Sequence, residues 1–373
     1  MGSRRDHEDE VLPVDAAAKY SAGEFTMSEF KIGNRKIDRD HAPFVIAEVG
    51  INHEGSLEKA LSMVDAAANA GADCVKFQTH ITEEEMIPTD MTPGQISDER
   101  LWDIIKRCEL SRDEERQVFE YCNEKGIQFL STPFSRAAAD RLNDLGVVAY
   151  KIGSGECNNY PLIRHVAGFG KPMIVSTGMN DLDSIAPAVT IVLEAGCPLI
   201  LLHCTSMYPT PYEDVRLGAI PELRERFGVD VGLSDHSIGV WTAIGSIAMG
   251  AVAVEKHFTL SRSWPGPDVP ISIEPEELRH LVEGSRAVWR ARGGRKNILP
   301  GERPVIDFAY ATVVTLRDIK EGETLTVDNV WVKRPGTGGI HARDYDRVLG
   351  MTVARDLEAN SHVNPEDLVE YHS

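Results

Sequence analysis

The sequence predicts an α/β protein, a (β/α)8 TIM barrel followed by a small β-rich module, and three observations carry that prediction. Between residues 44 and 258, short Val/Ile/Leu-rich runs alternate with longer Ala/Glu/Leu stretches whose apolar residues recur three and four apart. These short runs turn polar at their ends. After residue 304 the alternation stops, and strand-like runs broken by turns take over.

The runs are "FVIAEVG" (44–50), "CVKFQT" (74–79), "IQFLST" (127–132), "AYKIGS" (149–154), "MIVSTG" (173–178), "LILLHCT" (199–205), "VGLSD" (231–235) and "VAVEKHF" (252–258). Intervening segments such as "SLEKALSMVDAAANAGA" and "DEERQVFEYCNEKG" carry helical spacing and close on glycine, as helices do. Strands alternating with helices pair in parallel through right-handed crossovers, and eight such units close a barrel. An open doubly wound sheet is the alternative. In a barrel the C-terminal ends of the strands form one mouth, so the polar run ends would face a shared space. Four segments follow: a mobile N-terminal extension at 1–26, the barrel at 27–285, a Gly/Arg/Lys/Pro-rich linker at 286–304 and the small module at 305–373.

Composition narrows the function. With 39 Lys+Arg against 58 Asp+Glu, the formal charge of −19 opposes nucleic-acid backbones and anionic membrane surfaces, so neither is expected as a partner. An anionic substrate then needs a local basic site. No stretch approaches the roughly 20 apolar residues that cross a bilayer, and the first residues lack a signal-like apolar core. The six cysteines form no CxxC pair and lie mostly in apolar runs, which predicts buried thiols and a cytoplasmic location.

The polar run ends supply the candidate chemistry. They are Glu48, Lys76 with Gln78, Thr132, Lys151 with Ser154 and Glu156, Ser176 with Thr177, Thr205 with Ser206 and Tyr208, Ser234, Asp235 with His236, and Lys256 with His257. Lysines among hydroxyls suit a phosphorylated anion. A strand-end lysine can also form a Schiff base with a carbonyl substrate, or be a salt-bridged structural residue. His236 and His257 end successive runs, and paired imidazoles with Glu48 nearby suit an open divalent-metal site such as Mn2+. Satisfied core histidines are the plainer reading. His203, inside "LLHCT", is expected behind the site or in the core.

The motifs "IAEVGINHEGS", "STPFSRAAA", "KIGSGECNNYPLI", "HCTSMYPTPYEDVRLG", "GLSDHS", "EKHFT", "PGPD" and "WVKRPG" resemble the sialic acid synthase family from about residue 30 to the C-terminus. Those enzymes condense phosphoenolpyruvate with N-acetylmannosamine to give N-acetylneuraminate and phosphate, on a metal-dependent barrel followed by an antifreeze-like (SAF) domain. The resemblance implies that Lys76, Thr132, Lys151, Ser154 and Ser176 grip phosphoenolpyruvate with Gln78 adjacent, and that Ser206 stands at that site where some relatives have asparagine. It implies that His236 and His257 bind Mn2+, or another divalent ion such as Mg2+ or Co2+, and that Glu48 faces the reacting centre. Glu156, Tyr208 and Asp268 would contact the sugar or position water. Arg334, with Phe308 beside it, would reach the barrel of a second subunit in a homodimer with swapped SAF domains. Legionaminic and pseudaminic acid synthases share the scaffold but take 6-deoxy diacetamido sugars.

Overall fold

The computed structural model describes residues 29–94 and 97–371, and the expected extension at 1–26 lies outside them. These residues form two compact units that divide between Gly293 and Gly294. Among the described residues no helix is long and apolar enough to cross a membrane.

The first unit is the barrel. A two-residue hairpin, β1 (Lys31–Ile32) and β2 (Arg35–Lys36), precedes eight parallel strands: β3 (Phe44–Gly50), β4 (Cys74–Thr79), β5 (Gln128–Pro133), β6 (Tyr150–Ile152), β7 (Met173–Ser176), β8 (Leu199–Cys204), β9 (Asp230–Asp235) and β10 (Ala253–His257). All eight coincide with the expected runs to within a few residues. They hydrogen-bond in the order β5-β4-β3-β10-β9-β8-β7-β6, so the last strand pairs with the first. Among the described residues no ladder joins β5 to β6, which leaves the barrel nearly closed.

Side chains alternate across each strand, and that period of two sorts the interior into layers. Phe44, Ile46, Cys74, Leu130, Ala149, Ile174, Ile200, Leu202 and Ala253 form one buried cluster inside the barrel. Phe30, Ile32 and Ile37 from the hairpin region belong to the same cluster, so the hairpin plugs the N-terminal end of the barrel. The residues of opposite parity, such as Val45, Ala47, Val75, Val175, Leu201 and Val254, join the helices in the larger outer core. Continuing the inward series by two residues on each strand reaches Glu48, Lys76, Thr132, Lys151, Ser176, Cys204 and Glu255. The barrel is apolar below and polar at the rim.

Helices cover the outside with ends written in the sequence. Ser56 caps Leu57–Ala70 by accepting from Lys59 N at 3.3 Å, and Ser111 with Glu114 makes a capping box for Arg112–Lys125. The last barrel helix runs from Pro275 to Ala291, past the expected boundary at 285, because Val288 and Trp289 continue the face that Leu278, Leu281, Val282 and Ser285 pack against the core. Its first turn is capped by Glu274 and Glu277.

The second unit contains a helix (Arg303–Ala309) and an antiparallel pair, β11 (Thr312–Thr315) with β12 (Val330–Lys333). Isolated bridges such as Ile319 to Leu357 and Val353 to Leu368 hold the rest over a small core of Val313, Leu325, Val330, Ile340, Val348 and Val363. Ile32 is fully buried in the barrel plug. Ile32→Ala should therefore lower unfolding free energy by about 2–5 kcal/mol in a denaturant titration.

Candidate active site at the carboxyl rim of the barrel

Strand register brings the rim residues to one level. Glu48 pairs with Lys76 across β3 and β4, His257 with Glu48 across β10 and β3, and Gln78 with Thr132 across β4 and β5. A cleft of ≈ 340 Å³ opens there, and it is lined by Glu48, Lys76, Gln78, Thr132, Lys151, Ser154, Ser176, Ser206, Tyr208, Ser234, His236 and His257 among the expected residues. Phe134, Met179, Cys204 and Glu255 complete it with the backbone of Gly153 and Gly155.

Four buried charges form the floor. Lys76 Nζ lies 2.7 Å from Glu48 Oε2 and 3.8 Å from Glu255 Oε1, while Lys151 Nζ lies 3.7 Å from the same Glu255 oxygen. Each ammonium also donates to a hydroxyl, Lys76 to Thr132 Oγ1 at 3.2 Å and Lys151 to Ser176 Oγ at 2.7 Å. Ser234 Oγ donates to Glu255 at 3.1 Å. Burial pushes the Glu48 carboxyl up to about 7, with the Lys76 ammonium opposing and the Glu255 charge adding to the rise. Burial works the same way on Glu255, but Lys151 and Lys76 outweigh it and hold that carboxyl low. Burial disfavours both ammonium ions. In Lys76 the two carboxylates reverse the effect and raise its pKa, whereas Lys151 ends below its ordinary range.

One wall of the cleft depends on a missing side chain. Gly178 N donates to Ser154 Oγ at 3.0 Å, and a Cβ on Gly178 would collide with the hydroxyls of Ser206 and Ser154. Only glycine leaves that wall open.

The two imidazoles meet on the opposite side. Their ring centres are 5.3 Å apart, and Tyr208 stacks on His236 at 4.2 Å. His236 Nδ1 donates to Thr205 O at 2.9 Å, so in the neutral ring Nε2 keeps its lone pair; burial lowers the ring's pKa, but Cys204 and Thr205 O outweigh that effect and raise it. His257 Nδ1 is buried without a hydrogen-bond partner, 3.6 Å from Asp268 Oδ2. Burial, reinforced by His236 and the lysines, drives His257 well below its ordinary pKa and keeps it neutral. A neutral ring with an unused buried nitrogen beside a second oriented ring fits a cation with two protein ligands. Among the described residues no three His, Cys, Asp or Glu side chains converge on a metal position.

Other expected residues lie elsewhere. Glu156 turns to Asn159, whose Nδ2 donates to it at 2.5 Å, and does not line the cleft. Asp268 stands behind His257. Phe308 and Arg334 are exposed residues of the C-terminal unit. Asp235 and Lys256, grouped with the rim in the sequence, have the opposite parity and face away from the cleft. They form a fully buried pair at 2.9 Å, tied also to Ser237 and Thr242. Thr177 and Thr205 donate to the backbone carbonyls of Leu202 and Asp214. His203 Nε2 bonds Val215 O at 2.7 Å in the core. Glu255 was missed by sequence reasoning, although the spacing from His257 places it on the inward face.

A cleft of buried, mixed charge at this end of a parallel barrel is where such enzymes do chemistry, and the chain is a transferase-type barrel synthase. Residues 63–297 match the NeuB family and residues 310–369 the SAF domain, and the chain belongs to the NeuB family. An uncharacterized protein of Methanocaldococcus jannaschii is 40% identical over 345 residues, covering 92% of this chain and 99% of that protein. The N,N'-diacetyllegionaminic acid synthase of Campylobacter jejuni is 36% identical over 324 residues, 84% of this chain and 96% of that one. The crystal structure of N-acetylneuraminic acid synthetase from Leptospira borgpetersenii superposes with a TM-score of 0.68 at 34% identity, over 75% of this chain and 95% of that one.

Lys256→Ala would leave the Asp235 carboxylate buried and unpaired. It should cost about 3–5 kcal/mol of stability in a denaturant titration.

Proposed function

We propose that the chain condenses phosphoenolpyruvate with N-acetylmannosamine and water, giving N-acetylneuraminate and phosphate. The observation that carries this reading is the meeting, in one cleft, of two hydroxyl-bonded lysines with a pair of oriented imidazoles. Lys76, Lys151, Thr132, Ser154 and Ser176 would hold the phosphate and carboxylate of the donor as point charges and neutral donors. Burial strengthens that grip, since few water dipoles screen it. A divalent cation such as Mn2+, held by His236 and His257, would supply Lewis acidity to the acceptor aldehyde.

The chain's own groups do the rest. Holding the donor against the aldehyde turns the carbon–carbon bond-forming step into an intramolecular one. The enol C3 attacks the aldehyde carbon, whose oxygen takes a proton; water then adds at C2 with loss of its own proton, and phosphate leaves as the C2–O bond breaks. Glu48, a carboxyl balanced near neutrality, is suited to moving a proton in that sequence. Tyr208, in the cleft beside the imidazoles, would border the sugar, with Asp268 behind His257.

The legionaminic relative supports a second acceptor, a 6-deoxy diacetamido sugar. A Schiff-base aldolase is less well supported, because Lys76 is held as an ammonium ion between two carboxylates. The exposed Arg334 and Phe308 suit the proposed swapped homodimer, in which the SAF domain completes a second subunit's sugar site.

Phosphate release from phosphoenolpyruvate should require both Mn2+ and an amino-sugar aldehyde, and Glu48→Gln should lower kcat by about 10²–10⁴-fold. Release indifferent to chelator and sugar overturns the reading. Parallel assays of N-acetylmannosamine, its 6-phosphate and diacetamido trideoxy sugars choose the acceptor. Arg334→Ala should raise the sugar KM by about tenfold or more while leaving the donor KM near its parent value; equal changes in both would remove Arg334 from the sugar site.

A further inference from the structure

We infer that His80 and Glu85 are positioning residues for Glu48, acting through the Gln78 amide. This rests on Glu48 acting at the reacting centre.

The contacts run in one line from the cleft to the loop after β4. Glu48 Oε1 accepts from Gln78 Nε2 at 3.1 Å. Gln78 Oε1 lies 3.0 Å from His80 Nε2, and His80 Nδ1 lies 3.0 and 2.9 Å from the two oxygens of Glu85. Hydrogen-bond polarity then has one solution along the line. The Gln78 amide uses its N–H on Glu48, so its oxygen must accept, and His80 must donate from Nε2. The His80–Glu85 contact needs one hydrogen between its two partners, carried by Nδ1 or by the carboxyl. Either placement keeps the Nε2 hydrogen aimed at Gln78.

The ring is held in plane as well as in tautomer. His80 stacks on Phe134 with ring centres 4.6 Å apart and planes 14° from parallel, and Phe134 lines the cleft while His80 does not. Glu85 closes the short helix Thr82–Glu85, whose first N–H donates to Glu109 Oε1 at 2.5 Å. At the other end, Gly50 makes room: a Cβ there would stand 3.3 Å from Glu48 Oε1 and 3.4 Å from Gln78 Nε2. The side chains of His80 and Glu85 are only 3% and 5% exposed. A buried polar pair is a poor source of stability compared with apolar packing, and its value lies in fixing one arrangement. Here the arrangement fixed is that of the Glu48 carboxylate, which Lys76 alone would hold from one side.

Three variants of the full chain test this in the condensation assay. His80→Phe keeps the stacking on Phe134 and removes both ring nitrogens, Glu85→Ala removes the partner of Nδ1, and Glu85→Gln supplies an uncharged partner whose amide N–H can donate to Nδ1 and keep the hydrogen on Nε2. Loss of the aligning bond should lower kcat about tenfold in His80→Phe and Glu85→Ala, with both KM values within about twofold of the parent. Glu85→Gln should recover most of the loss. Parent kcat in His80→Phe, or a change carried by KM, overturns the inference. A parent enzyme inactive on phosphoenolpyruvate and amino sugars overturns the functional reading instead. The network is then judged by crystal structures of the parent and Glu85→Gln, with Glu85→Ala added where it folds: an unmoved Glu48–Gln78 bond in Glu85→Ala, or loss of that bond in Glu85→Gln, sinks it.

Discussion

Two ammonium groups and two carboxylates are buried together at the top of one barrel, and the surrounding architecture answers to that constraint. Each charge has an opposite charge within 4 Å, without which its removal from water would be prohibitive. The balance is uneven. Glu255 touches both lysines and stays ionised, while Glu48 has one ammonium partner, feels Glu255, and is left close to neutrality. One fold thereby gives two carboxylates, set on neighbouring strands, different protonation behaviour, which is how a site separates a fixed charge from a group that moves protons.

The apolar barrel interior makes this possible. Because inward residues alternate strictly, the lower levels are filled by Phe44, Ile46, Leu130, Ile200 and Leu202, and the hairpin below seals them. Water then has access from the rim alone. The outer core has the opposite parity and holds the helices, so substitutions that alter the rim leave the packing between strands and helices in place.

Much of this was legible in the chain. The eight runs announce the strands because each is short, β-branched and bounded by polar residues, and their polar ends announce the mouth. Parity was the harder signal. In "VAVEKHF" the lysine adjoins the histidine in sequence yet points to the opposite side, and the glutamate two residues before His257 shares its face. Reading each run in steps of two would have exchanged Lys256 for Glu255. The His80–Glu85 contact had no such signal, because it depends on how the loop after β4 folds back. Glu156 lies two residues from Ser154, yet the turn at Ser154–Glu156 directs the two side chains to different neighbours, which the sequence alone does not show.

The seam without a ladder between β5 and β6, among the described residues, runs between two of the polar groups that line the cleft, Thr132 on one edge and Lys151 on the other. Elsewhere around the wall, backbone ladders carry the tension of closure. An anion that touched both edges would act here as a removable stave, tying occupancy of the cleft to the tightness of the cylinder.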